Sequence, residues 1–317
     1  VSTKPNIHRF WRLLPVSLVI GSHAQVPGTW HREPDMLSAR SAHAVVATTE
    51  AIYALAGTGP DGQPVLDVER FDGKTWTRET TLVEGLNATA AAAVGDAIYV
   101  IGGFGTTTNR PVAAVRRYDL NKRAWTSVAP LPAPRGGHAA VVLNGRIHVI
   151  GGGNSVSTID DHSVYDPAAN TWSERARLPR RMGSPAAAVL DGRIYSIGGR
   201  SGPNDFGDVH IYDSKADRWK PGPAIEPRGT VGAVAFNRTI YAIGGESQSK
   251  QAVLGSVLRL DPGSKAWADD TSLPSPRSFA RAVLFKRAIY VIGGSTRYGA
   301  SHSSQGSAVV ERFAPGS

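Results

Sequence analysis

Four arginines in this chain keep one fixed distance from a pair of small residues. Arg40, Arg135, Arg228 and Arg277 each stand seventeen residues before the second glycine of Ala56-Gly57, Gly151-Gly152, Gly244-Gly245 and Gly293-Gly294. A planar guanidinium fork suits carboxylates and phosphates, so four arginines brought to one face would make an anion site. The matching places before Gly102-Gly103 and Gly198-Gly199 hold Leu86 and Met182, the latter next to Arg181. The competing reading, which we place first, is that each arginine pairs locally inside its own repeat. The residues just after the glycine pairs differ from one another: Phe104, Asn154, Arg200, Glu246 and Ser295. Variable loop positions on a constant frame are where ligand specificity sits. Glu246 and Arg200 together offer general acid/base chemistry on a bound sugar, with Glu246 as the proton carrier.

Other chemistries are weaker in this sequence. Asp160-Asp161-His162 has metal-donor types, but neighbouring strand residues point to opposite sides, so no metal site is expected. His43 and His138 each follow a repeat arginine by three residues and read as packing groups. Cysteine is absent, which removes disulfides, thiolate metal sites and cysteine nucleophiles. There is no Gly-rich phosphate loop, Gly-x-Ser-x-Gly elbow or His-Glu-x-x-His motif. No cofactor is expected.

The elements that must position these residues repeat along the chain. Trp30, Trp76, Trp125, Trp172, Trp219 and Trp267 are spaced 46, 49, 47, 47 and 48 residues apart. Short β-rich apolar runs precede the glycine pairs, such as Ile98–Ile101 and Ile147–Ile150, and turns such as Asn144-Gly145 precede the runs. A period near 50 built from short strands predicts a propeller, whose sheets bury one another's faces. The order di-glycine, Tyr-Asp, Trp is plain in Tyr118-Asp119…Trp125, Tyr165-Asp166…Trp172 and Tyr212-Asp213…Trp219. It is weaker in Phe71-Asp72…Trp76 and Leu260-Asp261…Trp267.

On these residues the chain resembles the Kelch-repeat β-propellers, over residues 28 to 313. The expected fold is an all-β, six-bladed Kelch-type propeller. Five blades are expected at 40–80, 86–129, 135–176, 182–223 and 228–271. The sixth combines 277–313 with 28–33, so an N-terminal strand carrying Trp30 becomes the outer strand of a blade that otherwise stops without a Trp. Such closure protects the sheet edges.

Residues 1–24 read as an export signal. Lys4, Arg9 and Arg12 precede the apolar stretch Leu13–Ile20, and Ser22-His23-Ala24 offers small residues for cleavage. The apolar run is far short of a membrane span. The propeller is expected over 25–317, as a monomer, periplasmic or secreted. The formal charge is +9 and falls to +6 without the three basic residues of that segment. This balance favours anionic partners, but the basic residues are dispersed and no nucleic-acid module is visible. The first expectation is a binding scaffold for a protein or an acidic glycan. The alternative, implied by a more distant similarity to periplasmic Kelch sialic-acid mutarotases, is epimerisation of an acidic sugar over the channel mouth. The repeats alone leave open whether the chain is an enzyme, since folds host unrelated functions.

Overall fold

The computed structural model describes Ser2, residues 28–299 and residues 306–316. The expected export segment lies, Ser2 apart, outside the described residues. The described residues contain strands and turns and no α-helix, so no helix among them is long and apolar enough to cross a membrane.

Each repeat folds into a four-stranded antiparallel sheet, and six sheets form the blades. Blade three shows how the sequence does this. Ala139–Leu143, Arg146–Ile150, His162–Asp166 and Thr171–Glu174 pair in chain order. The first hairpin turns at Asn144 and Gly145, with φ of 53° and 74°. These are the two left-handed residues that a tight hairpin requires. The second strand is the apolar run, and Ile147–Ile150 is buried throughout, because sheets pack on both of its sides.

Closure follows the expected route. Thr29–Glu33 pairs with Val310–Ala314, in the order outer strand, third strand, Ala288–Ile292, Arg281–Phe285. Trp30 lies opposite Phe313, with ring centroids 4.7 Å apart. The Arg312 guanidinium donates to Glu33 Oε1 at 2.6 Å across the same pair.

The seams between blades explain the di-glycine. The N–H of Gly57, Gly103, Gly152, Gly199, Gly245 and Gly294 donates to the carbonyl of Leu86, Arg135, Met182, Arg228, Arg277 and Arg40 respectively, at 2.8–3.0 Å. One backbone bond thus crosses every seam near the axis, and the last of the six closes the ring. The approach is tight. A Cβ on Gly102 would meet the Arg135 carbonyl oxygen at 2.6 Å, and φ there is +53°. Both the conformation and the space therefore demand glycine.

At the periphery the tryptophans bridge the same seams. Indole Nε1 of Trp76, Trp172, Trp219, Trp267 and Trp30 donates to the carbonyl of Pro34, Ala129, Ala176, Pro223 and Thr271, at 2.7–3.0 Å. Trp125 is the exception, without a partner for its indole N–H among the described residues. The seam it faces borders blade one, where the third and outer strands slip by a residue between Val68 and Glu69.

Candidate functional site at the channel mouth

The repeat arginines lie inside the blades. Arg40 and Arg277 are fully buried, and Arg135 and Arg228 nearly so. Arg40 donates to the Ala56 and Asp67 carbonyls and to Glu69 Oε1 at 2.5 Å. Arg277 does the same with the Gly293 and Val309 carbonyls and Glu311 Oε2 at 2.6 Å. Arg135 meets Ser163 and Asp161, and Arg228 meets Ser256 at 2.6 Å. Burial pulls each guanidinium pKa down, that of Arg277 to about 10, against the opposing pull of Glu311. Each side chain ties the start of its blade to that blade's third strand, while its carbonyl takes the seam bond from the previous blade. Leu86 and Met182 occupy the same buried places as apolar plugs. The geometry is therefore local pairing; these four guanidiniums do not converge over the channel.

A second ring surrounds the mouth. The residue after each of these lead-in positions bridges to the residue after the di-glycine of its own blade. The pairs are Ser41 with Thr58, Asn87 with Phe104, Gly136 with Gly153, Gly183 with Arg200, Gly229 with Glu246, and Ser278 with Ser295. One backbone frame thus presents six different residues. Two of them, Phe104 and Arg200, lean onto the next blade. A Cβ on Gly136 would strike the Phe104 ring at 2.3 Å, and one on Gly229 would strike the Arg200 guanidinium at 2.3 Å.

Arg200 and Glu246 meet, as residues following neighbouring di-glycines. Arg200 Nη1 lies 2.6 Å from Glu246 Oε1 and its Nε 3.2 Å from Asp205 Oδ1. Glu246 is 1% exposed, and its Oε2 has no partner among the described residues. Asp205 Oδ2 accepts from the Gln248 N–H at 2.6 Å, and Tyr298 donates to Gln248 Oε1 at 2.9 Å. The loops of blades four, five and six are thereby joined around a surface groove of about 460 Å³. Ser295 is buried in its bridge, and its Oγ accepts from the Arg297 N–H. Asn154 sits one residue beyond the ring, where Gly153 takes the equivalent place. Its Oδ1 accepts from the Val156 and Ser157 N–H groups, so it shapes a turn.

The remaining candidates resolve as structure. Asp160 and Asp161 both pair with Arg177, and His162 turns inward to His148, Nε2 to Nδ1 at 2.9 Å. No group of three metal-donor residues forms among the described residues. His43 and His138 are buried, and burial is the main cause that holds both neutral, His138 at about 3.

Sequence reasoning missed Arg281. The innermost strands begin at register-equivalent residues Ala44, Ala90, Ala139, Ala186, Gly232 and Arg281, each opposite the last apolar residue of the second strand. Five are small and one is an arginine. Aligning strand starts across the repeats would have found it; attention to the residues around the glycines did not. Arg281 lines a channel cavity of about 100 Å³ beneath the ring, and its Nε donates to the His43 carbonyl at 2.8 Å.

Fold and site together define a Kelch-type six-bladed propeller. Residues 98–313 match the Attractin/LZTR1 β-propeller, and the chain belongs to that family. Kelch-like protein 15 of Danio rerio is 36% identical over 63 residues, which is 20% of this chain and 10% of that protein. The Homo sapiens protein of the same name is 34% identical over 64 residues, 20% and 11% of the two chains. This chain thus matches only about a tenth of the length of those relatives. The solved structure of YjhT superposes with a TM-score of 0.75 at 15% identity, covering 88% of this chain and 95% of that one. At that identity the likeness is one of fold.

Proposed function

We propose that this chain is a binding scaffold that engages an acidic protein or glycan on its di-glycine face, outside the cytoplasm. The observation that carries the reading is the mouth ring: one hydrogen-bonded frame in which Thr58, Glu246 and Ser295 are buried as support and Phe104, Gly153 and Arg200 stay partly exposed. A rigid frame with varied side chains suits recognition, because little order is lost on binding. The basic balance of the chain favours an anionic partner. The setting outside the cytoplasm rests on the composition of residues 1–24. The mutarotase alternative depends on Glu246, which is buried and held by Arg200. Proton transfer needs a carboxylate within reach of substrate, so binding is the reading that the geometry supports.

The test is a thermal-shift panel of acidic and neutral oligosaccharides and acidic peptides, run on the parent, Phe104→Ala, Arg200→Ala and Arg238→Ala. Arg238 lies in the turn after Gly232–Phe236, at the opposite end of the blade from the ring. A positive shift with an acidic ligand that disappears in the two ring variants and persists in Arg238→Ala is expected. Equal loss in Arg238→Ala, or no shift with any acidic ligand, overturns the reading.

A further inference from the structure

We infer that the channel cavity beneath the mouth ring is a binding site for one small oxyanion, held by Arg281. The argument starts from the register. Five innermost strands place Ala or Gly at the position where the sixth places Arg281, and the missing side chains leave the cavity of about 100 Å³ that it lines. That is space for roughly three waters, or for an anion of sulfate or carboxylate size.

The cavity is polar in one sense only. Its side chains are small and apolar except for Thr89, His138 and Arg281, and no carboxylate lines it. Thr89 turns its hydroxyl away, donating to the Ile101 carbonyl at 3.0 Å. Arg281 uses Nε on the His43 carbonyl, while among the described residues nothing accepts from its two terminal nitrogens. The outer edge of the guanidinium, the part that binds an oxyanion through parallel N–H bonds, is therefore free. The innermost strands are also sheet edges, so their unpaired amides face the same space.

Arg281 is only partly buried, and a guanidinium drawn partly out of water without a counter-charge carries a desolvation cost that a bound anion would relieve. Burial alone lowers the Arg281 pKa, to about 10, with no acidic group opposing it. Elsewhere the fold supplies Glu69 to Arg40 and Glu311 to Arg277. Among the described residues it supplies none here, and the positive field at His43 comes from Arg40, Arg281 and Arg277 together. An anion in the cavity is the missing counter-charge. The site is separate from whatever partner the ring takes.

A purely structural role, stapling blade six to blade one through the His43 carbonyl, makes a different forecast. The experiment follows the melting temperature of the intact protein against sulfate, phosphate and acetate, at ionic strength matched with a bulky organic salt. The parent should show a saturable rise with at least one of the three. Arg281→Ala, which installs the residue that four other blades already carry, should lose that rise. Arg281→Lys keeps the charge without the fork, and should need more anion for half the effect. It also serves if the alanine variant does not fold. No selective rise in the parent, or a rise that survives in Arg281→Ala with an unchanged midpoint, overturns the site. Loss of ring-ligand binding in Phe104→Ala or Arg200→Ala leaves it standing.

Discussion

Two glycines in blade three separate two causes that are usually confounded. Gly145 has φ of +74° and open space around it; Gly151 has φ of +61°, and a Cβ there would lie 2.7 Å from the Met182 carbonyl oxygen. Gly145→Ala meets only the left-handed penalty, about 1–2 kcal/mol. Gly151→Ala meets that penalty and must also push back the blade-four seam, so roughly twice the loss is expected. Chemical denaturation measures both, and equal losses would show that the seam yields freely. The buried His148–His162 pair gives a second residue-scale forecast. Burial lowers His148 to about 4, with Arg175 and Arg146 adding to it, and lowers His162 to about 3, with His148 adding to it. Free histidine titrates near 6.5. Between about 6.5 and 4 the unfolded chain binds more protons than the fold, so stability is fully present above 6.5 and falls as pH drops through that window. His148→Gln should flatten the fall in melting temperature over that range, although His43, His138 and His210 contribute in the same direction. An unchanged slope would mean that the pair does not carry it.

At the scale of the element, the closing strand matters most. Thr29–Glu33 is a single strand, yet it covers Phe313, supplies the Trp30 bond to the Thr271 carbonyl and pairs Glu33 with Arg312. Without it, Val310–Ala314 becomes an exposed edge and blade six loses its outer cover. Removal of residues through Glu33 should lower the melting temperature of the whole ring as one transition. Phe313→Ala, at a fully buried position, should cost about 3–5 kcal/mol. A truncated protein that melts like its parent would place the closure elsewhere.

Across the whole molecule the ring is nearly symmetric in backbone and asymmetric in charge. Six seam bonds repeat from blade to blade. Left-handed residues repeat two places after every lead-in position, at Ala42, Ala88, Gly137, Ser184, Thr230 and Phe279. Against that regular frame, Arg281 in the channel and the Arg200–Glu246–Asp205 cluster at the mouth stand out. Symmetry supplies the scaffold, and both binding proposals rest on these departures from it. The two binding experiments probe different places on that map. The ring variants address the surface over the channel, and the Arg281 variants address the cavity below it.

The sequence by itself determined the repeat, the six blades and the closure. Its period records where each sheet must turn, where two backbones meet too closely for a Cβ, and where a large ring must span a seam. Those constraints are local to each repeat, so the residues that satisfy them recur in order. Only the tertiary structure decided which way the polar side chains face. The spacing of Arg40 and Arg135 allowed either a surface anion site or local pairing; Glu69 and Ser163 on the third strand of their own blades, with Asp161 just before it, draw the guanidiniums inward. Arg200 and Glu246 were legible as candidates; their contact is across a seam, 46 residues apart in the chain. Arg281 was hidden because it follows no motif. Its meaning comes from the five small residues that the ring brings around it, and their proximity exists only once the propeller has closed.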